Sequence, residues 1–378
     1  MHLMDKSGVL RPVIKILTDY LHDDLAHDEV RQALVAACVR RRVDFTDLDV
    51  GAIAAMDTVG AGFKTAQLAL NSTLGYGHVF LANCAPRKNL VSVRSQGEKV
   101  VLGMTASGVA MLLVNAGHTL APFHDLAKEG AAVFYQTSVP DSGSQFRSRD
   151  FFPDAVAELA AHLAAQSKKF GAGKTEKLLA EKSFDDILGG LSFLGQPLPL
   201  GSLHPMPQGV VLYIDNFGNI KLNFRHRRLL KLHPSGTTMV VRLGDAVCDA
   251  VLGDSGFSQS EGIIALTEGS SGWPDARGKK ECFTEIFLRG GRAENHFRNF
   301  HPGDQALGIR KTDLEGVIGV LRGADRAASE GLDLDSLSEA KIIGMLAKAG
   351  LIRDGFDTAA LQKALKQGTL LSLLQGQA

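Results

Sequence analysis

Asp215 and Asn219 lie in a short polar segment directly after an apolar run, a placement that suits ligand binding. Residues 210–213 predict a strand, and a second apolar segment resumes at Ile220. Gly218 between them predicts a turn, on which a carboxylate and an amide would face a ligand rather than the core. The same spacing also fits an ordinary β-hairpin, so both interpretations stay open at this point.

A group of acids follows the first apolar segment of the chain, residues 13–18. Asp19 comes directly after it, and Asp23 and Asp24 follow one turn later. Acids at the carboxyl end of the first strand of an α/β sheet lie where such folds bind ligands, and one there commonly binds a ribose diol. We therefore expect Asp19 to contact a ligand. Asp24 or Asp28 could instead cap the following helix, and Asp23 fits such a helix start.

The stretch from His22 to Asp28 combines imidazole and carboxylate groups, the usual nitrogen and oxygen ligands of metal ions. Its spacing matches no specific zinc pattern, and a solvated helix start explains the charges as well. We therefore predict neither a metal site nor a cofactor.

Phe146, Arg147, Ser148, Arg149 and Asp150 stand immediately before a predicted long helix. The unpaired N–H groups and positive dipole end of a helix start favour anions, and the two arginines add to this. The alternative is an Asp150 cap with both arginines in solvent.

Ser271 and Trp273 lie in a segment of small residues that follows a predicted strand and contains the only tryptophan. Small residues beside one large aromatic suit a flat ligand that approaches the backbone closely. A buried Trp in a β-turn is the alternative.

Composition limits the class of protein. At 378 residues the chain predicts two or three domains, and 45% hydrophobic with 22% charged residues is typical of a globular protein. Lys+Arg and Asp+Glu both number 41, which gives no support to a nucleic-acid partner. No run predicts a signal peptide or a membrane span. Four dispersed cysteines predict neither disulfides nor zinc, so we expect a cytoplasmic protein.

Alternating strand-like and helix-like segments predict an α/β domain over residues 1–173. The predicted strands are 13–18, 43–49, 77–85, 90–93, 100–104 and 131–136. The predicted helices are 27–41, 57–74, 107–115 and 150–165.

Weaker periodicity and more Gly and Pro predict a linker at 174–207. Short strands then predict a β-barrel-like domain over 208–311, with strands at 210–214, 220–224, 238–243, 246–252, 263–266, 284–288 and 306–309. Residues 312–378 predict a helical C-terminal extension with helices at 337–351 and 358–374.

These stretches together resemble the S-adenosyl-L-methionine hydroxide adenosyltransferases and the related fluorinases and chlorinases. The matching residues follow in order: Leu17-Thr18-Asp19 with Asp24; Val43-Asp44-Phe45; 80–86; Phe146-x-Ser148-Arg149-Asp150; Ile214-Asp215 with Phe217-Gly218-Asn219 and Asn223; and Ser270-x-Gly272-Trp273 with Glu285-Ile286. The Asp-x-Phe-Gly-Asn motif and the order of the others carry the resemblance.

The resemblance implies an α/β domain, a β-barrel-like domain, and a homotrimer whose ligand is held between domains of neighbouring subunits. It implies that Asp19 binds the ribose hydroxyls, and that Asp24 and Asp215 bind the methionyl ammonium. Phe217 and Asn219 would contact the adenine, and the backbone around Arg289 and Gly290 would complete those contacts. Ser271 and Trp273 belong to the implied substrate-binding set, and Phe146 and Ser148 would lie near C5′.

This chain departs from the pattern at two positions. The hydroxide-using members carry an Asp and a His that help to activate water, where this sequence has Ala85 and Arg147. Alanine has no titratable group and arginine stays protonated, so neither can be a general base. Arg147 could instead hold an anion beside C5′.

Two functions follow from the resemblance. The first is an S-adenosylmethionine-dependent enzyme, with catalytic residues Phe146, Arg147 and Ser148, that displaces methionine at C5′ with a non-standard nucleophile or hydrolyses the sulfonium by a modified route. The alternative is a catalytically inactive module or sensor that binds S-adenosylmethionine or adenosine. In both, the partner is a small nucleoside ligand rather than nucleic acid or a membrane.

Overall fold

The protein has two compact units, each built on a seven-stranded sheet. The computed structural model describes residues 10–20, 22–85, 99–138, 146–170, 183–275 and 277–310. The first unit contains the described residues up to Met206 together with Trp273–Lys280, and the second contains Pro207–Gly272 and the described residues from Glu281. Helices flank the sheet of the first unit, so the α/β class expected from the sequence is confirmed.

The first sheet has the strand order β2-β1-β3-β5-β4-β6-β7. Its strands are β1 Val13–Thr18, β2 Asp47–Ala52, β3 His78–Asn83, β4 Val100–Thr105, β5 Ala110–Val114, β6 Ala132–Thr137 and β7 Leu194–Pro197. Strands β2, β1, β3 and β5 are parallel to one another. Strand β4 pairs antiparallel with both β5 and β6, and β7 pairs antiparallel with β6.

The register of β1 aligns the carboxyl ends of three strands. Thr18, the last residue of β1, lies opposite both Ala52 of β2 and Asn83 of β3. The residues that follow these strands therefore emerge at one edge of the sheet, where doubly wound folds bind their ligands.

The helices of the first unit are α1 Leu25–Arg40, α2 Thr58–Leu70, α3 His124–Lys128, α4 Arg147–Asp150, α5 Phe152–Phe170 and α6 Phe184–Leu188. Helices α1 and α5 share a core with alternate residues of the sheet, such as Ile14, Ile16 and Leu81. Two surface ion pairs, Arg40–Asp154 and Arg41–Glu158, also join these helices. Most of the association comes from the apolar contacts, because exposed ion pairs contribute little.

The helix predicted at 107–115 is wrong, because these residues contain the central strand β5. Every residue of β5 is buried, and the strand lies between β3 and β4. A strand covered on both faces has a continuous apolar run rather than alternation, and such a run cannot be distinguished from a buried helix by periodicity.

Helices α3 and α6 and a helix at His226–Leu232 were not predicted, and most other elements differ from the prediction in their bounds. The second strand begins four residues later than expected, and the helix expected at 150–165 is preceded by the short helix α4. Part of the expected linker, Leu194–Pro197, pairs with β6 as an edge strand of the first sheet. The strand expected at 90–93 and the helical extension at 312–378 lie outside the described residues.

The second sheet has the order β14-β10-β11-β12-β13-β9-β8. Its strands are β8 Val211–Ile214, β9 Ile220–Arg225, β10 Thr238–Leu243, β11 Ala246–Leu252, β12 Ile264–Pro274, β13 Lys280–Leu288 and β14 Leu307–Arg310, and α7 His226–Leu232 follows β9. Strands β12 and β13 are longer than predicted. A bridge between Val210 and Gln305 links the segments that precede the two edge strands β8 and β14.

No helix within the described ranges is long and apolar enough to traverse a bilayer.

We expect Leu112→Ala to destabilise the first unit strongly, because Leu112 of β5 has no exposed surface. Truncation of a fully buried Leu lowers the free energy of unfolding by about 2–5 kcal/mol. Chemical denaturation followed by fluorescence measures the change. Leu68→Ala, at a residue 42% exposed on α2, is the matched control and should change stability far less; equal effects would contradict the central position of β5.

Candidate functional site

Asp19 emerges from the carboxyl edge of the first sheet, directly after β1. Its backbone N–H donates to the Asn83 carbonyl oxygen at 3.3 Å, which extends the β1–β3 pairing by one residue. The Met56 N–H lies 3.5 Å from Asp19 Oδ2, and Met56 has a positive φ of 63°. A non-glycine residue in this conformation is uncommon and marks a locally constrained loop.

Burial is the main influence on the Asp19 carboxyl group and raises its pKa above the usual 3.8. Hydrogen bonds from the N–H groups of Met56 and Ala85 and from the Cys84 thiol act in the opposite direction but do not cancel it. A partly desolvated carboxylate held by neutral donors is suited to accept hydrogen bonds from ligand hydroxyl groups.

Ser148 joins this edge through a compact hydrogen-bond network. The Tyr20 hydroxyl lies 2.7 Å from Ser148 Oγ, and Asn83 Nδ2 donates to Tyr20 at 3.1 Å and to Ser148 at 3.0 Å. Both Asn83 and Ser148 are buried, with 4% and 6% exposure. The network thus fixes Ser148, which the sequence identified, through two residues that it did not.

Helix α4 carries Ser148 and is anchored by ionic and aromatic contacts. Arg149 pairs with Asp150 at 2.9 Å and with Glu29 of α1 at 3.4 Å. The Arg149 guanidinium also lies 5.2 Å from the centre of the Phe146 ring, which meets Tyr20 edge-on at 5.7 Å. These contacts within the protein therefore account for Arg149 without a bound anion.

Arg147 and Ala85 are both half-buried. In the chain, Arg147 immediately precedes Ser148, and Ala85 follows Cys84. Arg147 supplies a permanent positive charge to the segment, and Ala85 supplies no side-chain polar group. A permanent cation therefore immediately precedes Ser148 in the chain.

Asp24 caps α1, as one of the alternatives from the sequence had it. Its Oδ1 accepts from the Ala26 N–H at 2.9 Å, and its backbone is extended as expected at an N-cap. The rings of His22 and His27 meet edge-on at 5.0 Å. In the part of the chain that the structure describes, no three His, Cys, Asp or Glu residues are grouped to hold a metal ion.

Asp215 organises the turn between β8 and β9. Its Oδ1 accepts from the N–H groups of Phe217 at 2.9 Å and Asn219 at 3.1 Å, and its Oδ2 accepts from the Asn219 amide and the Lys221 ammonium, both at 3.1 Å. A carboxylate offers about four acceptor sites, so these contacts fill them.

Lys221 is buried between two carboxylates. Its Nζ lies 3.1 Å from Asp215 and 2.9 Å from Glu285, and its side chain is only 7% exposed. Burial acts to raise the pKa of Asp215, but hydrogen bonds from Asn219 and Lys221 outweigh it and leave that pKa below 3.8. The turn is therefore held by an internal ion cluster of Asp215, Lys221 and Glu285.

The same turn projects Phe217 outward. Phe217 is 76% exposed although it is a large aromatic residue. Gly218 has a φ of 77°, and a side chain there would place Cβ 2.7 Å from the Cβ of Arg292. Arg292 also donates to the Asn216 carbonyl at 2.6 Å, so the exposed ring stands on a fixed base.

Arg289 and Gly290 follow β13 beside this turn, since Ile286 of β13 pairs with Ile220 of β9. The Arg289 guanidinium donates to the Gln259 carbonyl at 3.1 Å. Gly290 has a φ of 78°, which favours glycine. Both residues thus lie directly after the strand that pairs with β9.

Ser271 and Trp273 lie within β12 rather than in a loop, and both are buried, with 9% and 5% exposure. Trp273 belongs to the first unit, where its ring centre lies 6.1 Å from that of Phe63. These contacts match the alternative of a buried Trp more closely than that of an open binding surface.

The predicted residues therefore form two groups. Asp19, Phe146 and Ser148 come together in the first unit, whereas the Asp215 turn, Arg289 and Gly290 come together in the second. Reasoning from sequence missed Tyr20, Asn83 and Lys221. Asn83 had one available signal, since it is a polar residue that directly follows an apolar run, whereas the alternating polar residues of β9 give no signal specific to Lys221.

Comparison with known proteins gives information on the fold but none on the function. No protein-family model and no curated protein matches the chain. A crystal structure of an uncharacterized conserved protein from Thermotoga maritima is 17% identical with a TM-score of 0.53, covering 79% of this chain and all of that one. A conserved hypothetical protein from Thermus thermophilus is 17% identical with a TM-score of 0.47, covering 79% of this chain and 99% of that one. At 17% identity the likeness to the Thermotoga protein shows a shared fold alone.

We expect Lys221→Met to destabilise the second unit, because the buried Glu285 and the half-buried Asp215 lose their counter-ion. Removal of one partner from a buried ion pair costs about 3–5 kcal/mol near neutral pH. Lys231→Met, at an exposed residue of α7, is the matched control. Chemical denaturation at pH 7 measures both, and equal effects would contradict the cluster.

The loss in Lys221→Met should shrink as the pH falls. In the wild type the lowered pKa of Asp215 contributes stability above about pH 3.8 that is lost as the pH falls through the folded-state value. The variant lacks much of this contribution, so its unfolding free energy should approach that of the wild type only as the pH falls below about 3.8 and Asp215 becomes protonated. A difference that stays constant as the pH falls well below 3.8 would contradict this assignment.

Proposed function

We propose that this chain binds S-adenosyl-L-methionine and catalyses displacement of methionine at C5′ by a nucleophile other than ordinary water. We further propose that it acts as a cytoplasmic homotrimer, with a β-barrel-like second domain and a helical extension over residues 312–378. The observation that carries the proposal is the cluster of Asp19, Asn83 and Ser148 at the carboxyl edge of the parallel strands.

Asp19 supports nucleoside binding in this proposal. A carboxylate directly after the first strand of such a sheet suits the two hydroxyl groups of a ribose. Burial raises the pKa of Asp19. Burial also strengthens a hydrogen bond from a ligand donor to the Asp19 carboxylate, because few water molecules compete. The ionised form is the acceptor, so affinity should fall as the pH drops toward that raised pKa.

The reaction that fits the segment around Ser148 is a single displacement. The nucleophile donates an electron pair to C5′, the C5′–S bond breaks, and its electrons neutralise the sulfonium as methionine leaves. This leaving group needs no proton, so the protein has to align the nucleophile and remove water from it. Phe146 supplies an apolar surface to this segment, Ser148 a hydroxyl and Arg147 a positive charge.

The same residues favour an anionic nucleophile over water. Water needs a base to become an effective nucleophile, and Ala85 and Arg147 stand where the resembling enzymes have an Asp and a His. Arg147 can hold an anion by charge-assisted hydrogen bonds. The absence of that pair of residues also supports the second candidate, a module that binds S-adenosylmethionine or adenosine without turnover.

We expect Asp19→Asn to weaken S-adenosylmethionine binding about tenfold to a hundredfold, the equivalent of about 1–3 kcal/mol for a lost charged hydrogen-bond acceptor. Calorimetric titration measures the affinity, and Asp23→Asn, at an exposed acid of the same loop, is the control. Unchanged affinity in Asp19→Asn would place the nucleoside elsewhere.

Arg147→Ala should lower kcat at least tenfold with little effect on nucleoside affinity, because Arg147 is assigned to the nucleophile. Mass spectrometry of wild-type reactions with candidate anions detects methionine and the 5′-substituted adenosine. Arg31→Ala, at an exposed arginine of α1, controls for loss of surface charge. Tight binding without product in the wild type would exclude the enzyme and leave the binding module, whereas no binding would exclude both.

A further inference from the structure

Cys84 directly follows β3 and is completely buried next to Asp19. Thr18 of β1 pairs with Asn83 of β3, and the Asp19 N–H continues this pairing by donating to the Asn83 carbonyl at 3.3 Å. Asp19 and Cys84 are therefore neighbours across the ends of the two strands. Core packing sets this register, so it also brings the thiol to the carboxylate.

Successive side chains at the end of β3 lie on opposite faces of the sheet. Asn83 shares its face with Leu81, which packs in the core with α1 and α5, and Asn83 donates to Ser148 at 3.0 Å. The alternation places Cys84 on the other face. The end of β3 thus contributes one side chain to Ser148 and the next to Asp19.

The Cys84 thiol donates a hydrogen bond to the Asp19 carboxylate. The direction of this bond is fixed, because an ionised carboxylate accepts hydrogen bonds and has no proton to give. The N–H groups of Met56 and Ala85 donate to the same carboxylate. Of these three donors, Cys84 is the one that uses a side chain, so a substitution can remove its bond and leave the backbone donors in place.

A thiol is a weaker donor than a hydroxyl group. It can fix the direction of a carboxylate and still leave most of the acceptor strength of that carboxylate to a ligand. A stronger donor at the same position would stabilise the ionised carboxylate further. Its bonds to ligand hydroxyl groups would then contribute less.

We propose that Cys84 is a positioning residue for nucleoside binding, which holds the Asp19 carboxylate in place through a weak hydrogen bond and preserves its strength as an acceptor for ligand hydroxyl groups. This inference rests on the proposed function. It adds a residue that acts on the ligand through Asp19, and it assigns part of the pH dependence of ligand affinity to a buried thiol.

Three side chains at position 84 separate the donor from the space that it fills. Cys84→Ala removes the donor, whereas Cys84→Ser keeps a donor of similar size that is stronger. Loss of the bond raises the pKa of Asp19, and a stronger bond lowers that pKa. The ionised form is the acceptor, so the loss of S-adenosylmethionine affinity on acidification should begin at the highest pH in Cys84→Ala and at the lowest in Cys84→Ser.

We expect Cys84→Ala to weaken S-adenosylmethionine binding about threefold to tenfold on the acid side of the profile, as for one lost hydrogen bond. The loss should be smaller at higher pH, where Asp19 is ionised. Calorimetric titration of the full-length protein over a series of pH values measures the profile. Cys38→Ala, at a cysteine buried in the core of the same unit, is the matched control and should keep the wild-type profile.

Infrared spectroscopy tests the bond without a ligand. The S–H stretch absorbs where other protein groups absorb little, and the difference spectrum between the wild type and Cys84→Ala isolates the Cys84 band. This band should move to higher frequency in Asp19→Asn and on acidification of the wild type, because a neutral group accepts more weakly than a carboxylate. Asp23→Asn should leave the band unchanged.

The outcomes separate the inference from the proposed function. A Cys84 band that is the same in the wild type and in Asp19→Asn overturns the inference, whatever the protein binds. A wild type that binds no S-adenosylmethionine overturns the function, and the infrared measurement still decides whether Cys84 holds Asp19. A wild type that binds, with an identical pH profile in Cys84→Ala or with Cys84→Ser as impaired as Cys84→Ala, overturns the inference and leaves the function standing.

Discussion

The parallel pairing of β1 with β2 and β3 is the constraint on which the candidate site depends. Thr18 is opposite Ala52 and Asn83 at once, and the hydrogen bonds continue past the strand ends, with the Ile53 N–H donating to the Thr18 carbonyl at 2.6 Å. A shift of one residue would turn every side chain of β1 to the opposite face. Burial of Ile14 and Ile16 excludes that shift, so core packing sets the position of Asp19.

The sequence was sufficient where local pattern and tertiary environment agree. The bounds of β1, β10 and β11 were predicted to the residue, because each is flanked by turn-forming or polar residues. The sequence was insufficient for β5, because its residues are buried on both faces and show no hydrophobic periodicity. The short strand β7 was also missed, since a Gly-Pro-rich segment becomes a strand only through its partner β6.

The sequence could predict those residues of the candidate site whose positions depend only on where a strand ends. Asp19 could be found because its position requires only the first strand and the rule that ligands bind at carboxyl edges. The contact between Tyr20 and Ser148 spans 128 residues, and that between Lys221 and Glu285 spans 64. No local pattern encodes such pairs. The cluster of Lys221 with two carboxylates becomes visible only when β9 and β13 are placed side by side.

The two acids that first suggested a ligand differ in how the protein uses them. Asp215 has its acceptor sites filled by its own turn and by Lys221, and its pKa is lowered. Asp19 is held by neutral donors, and burial raises its pKa. A carboxylate already neutralised by a buried ammonium gains little from a second cation, whereas one that is partly desolvated and held by neutral donors among the described residues gains from each new donor. The Asp215 turn therefore offers a ligand the 76% exposed ring of Phe217, which the Asp215 carboxylate helps to hold in place. Asp19, in contrast, offers its own carboxylate.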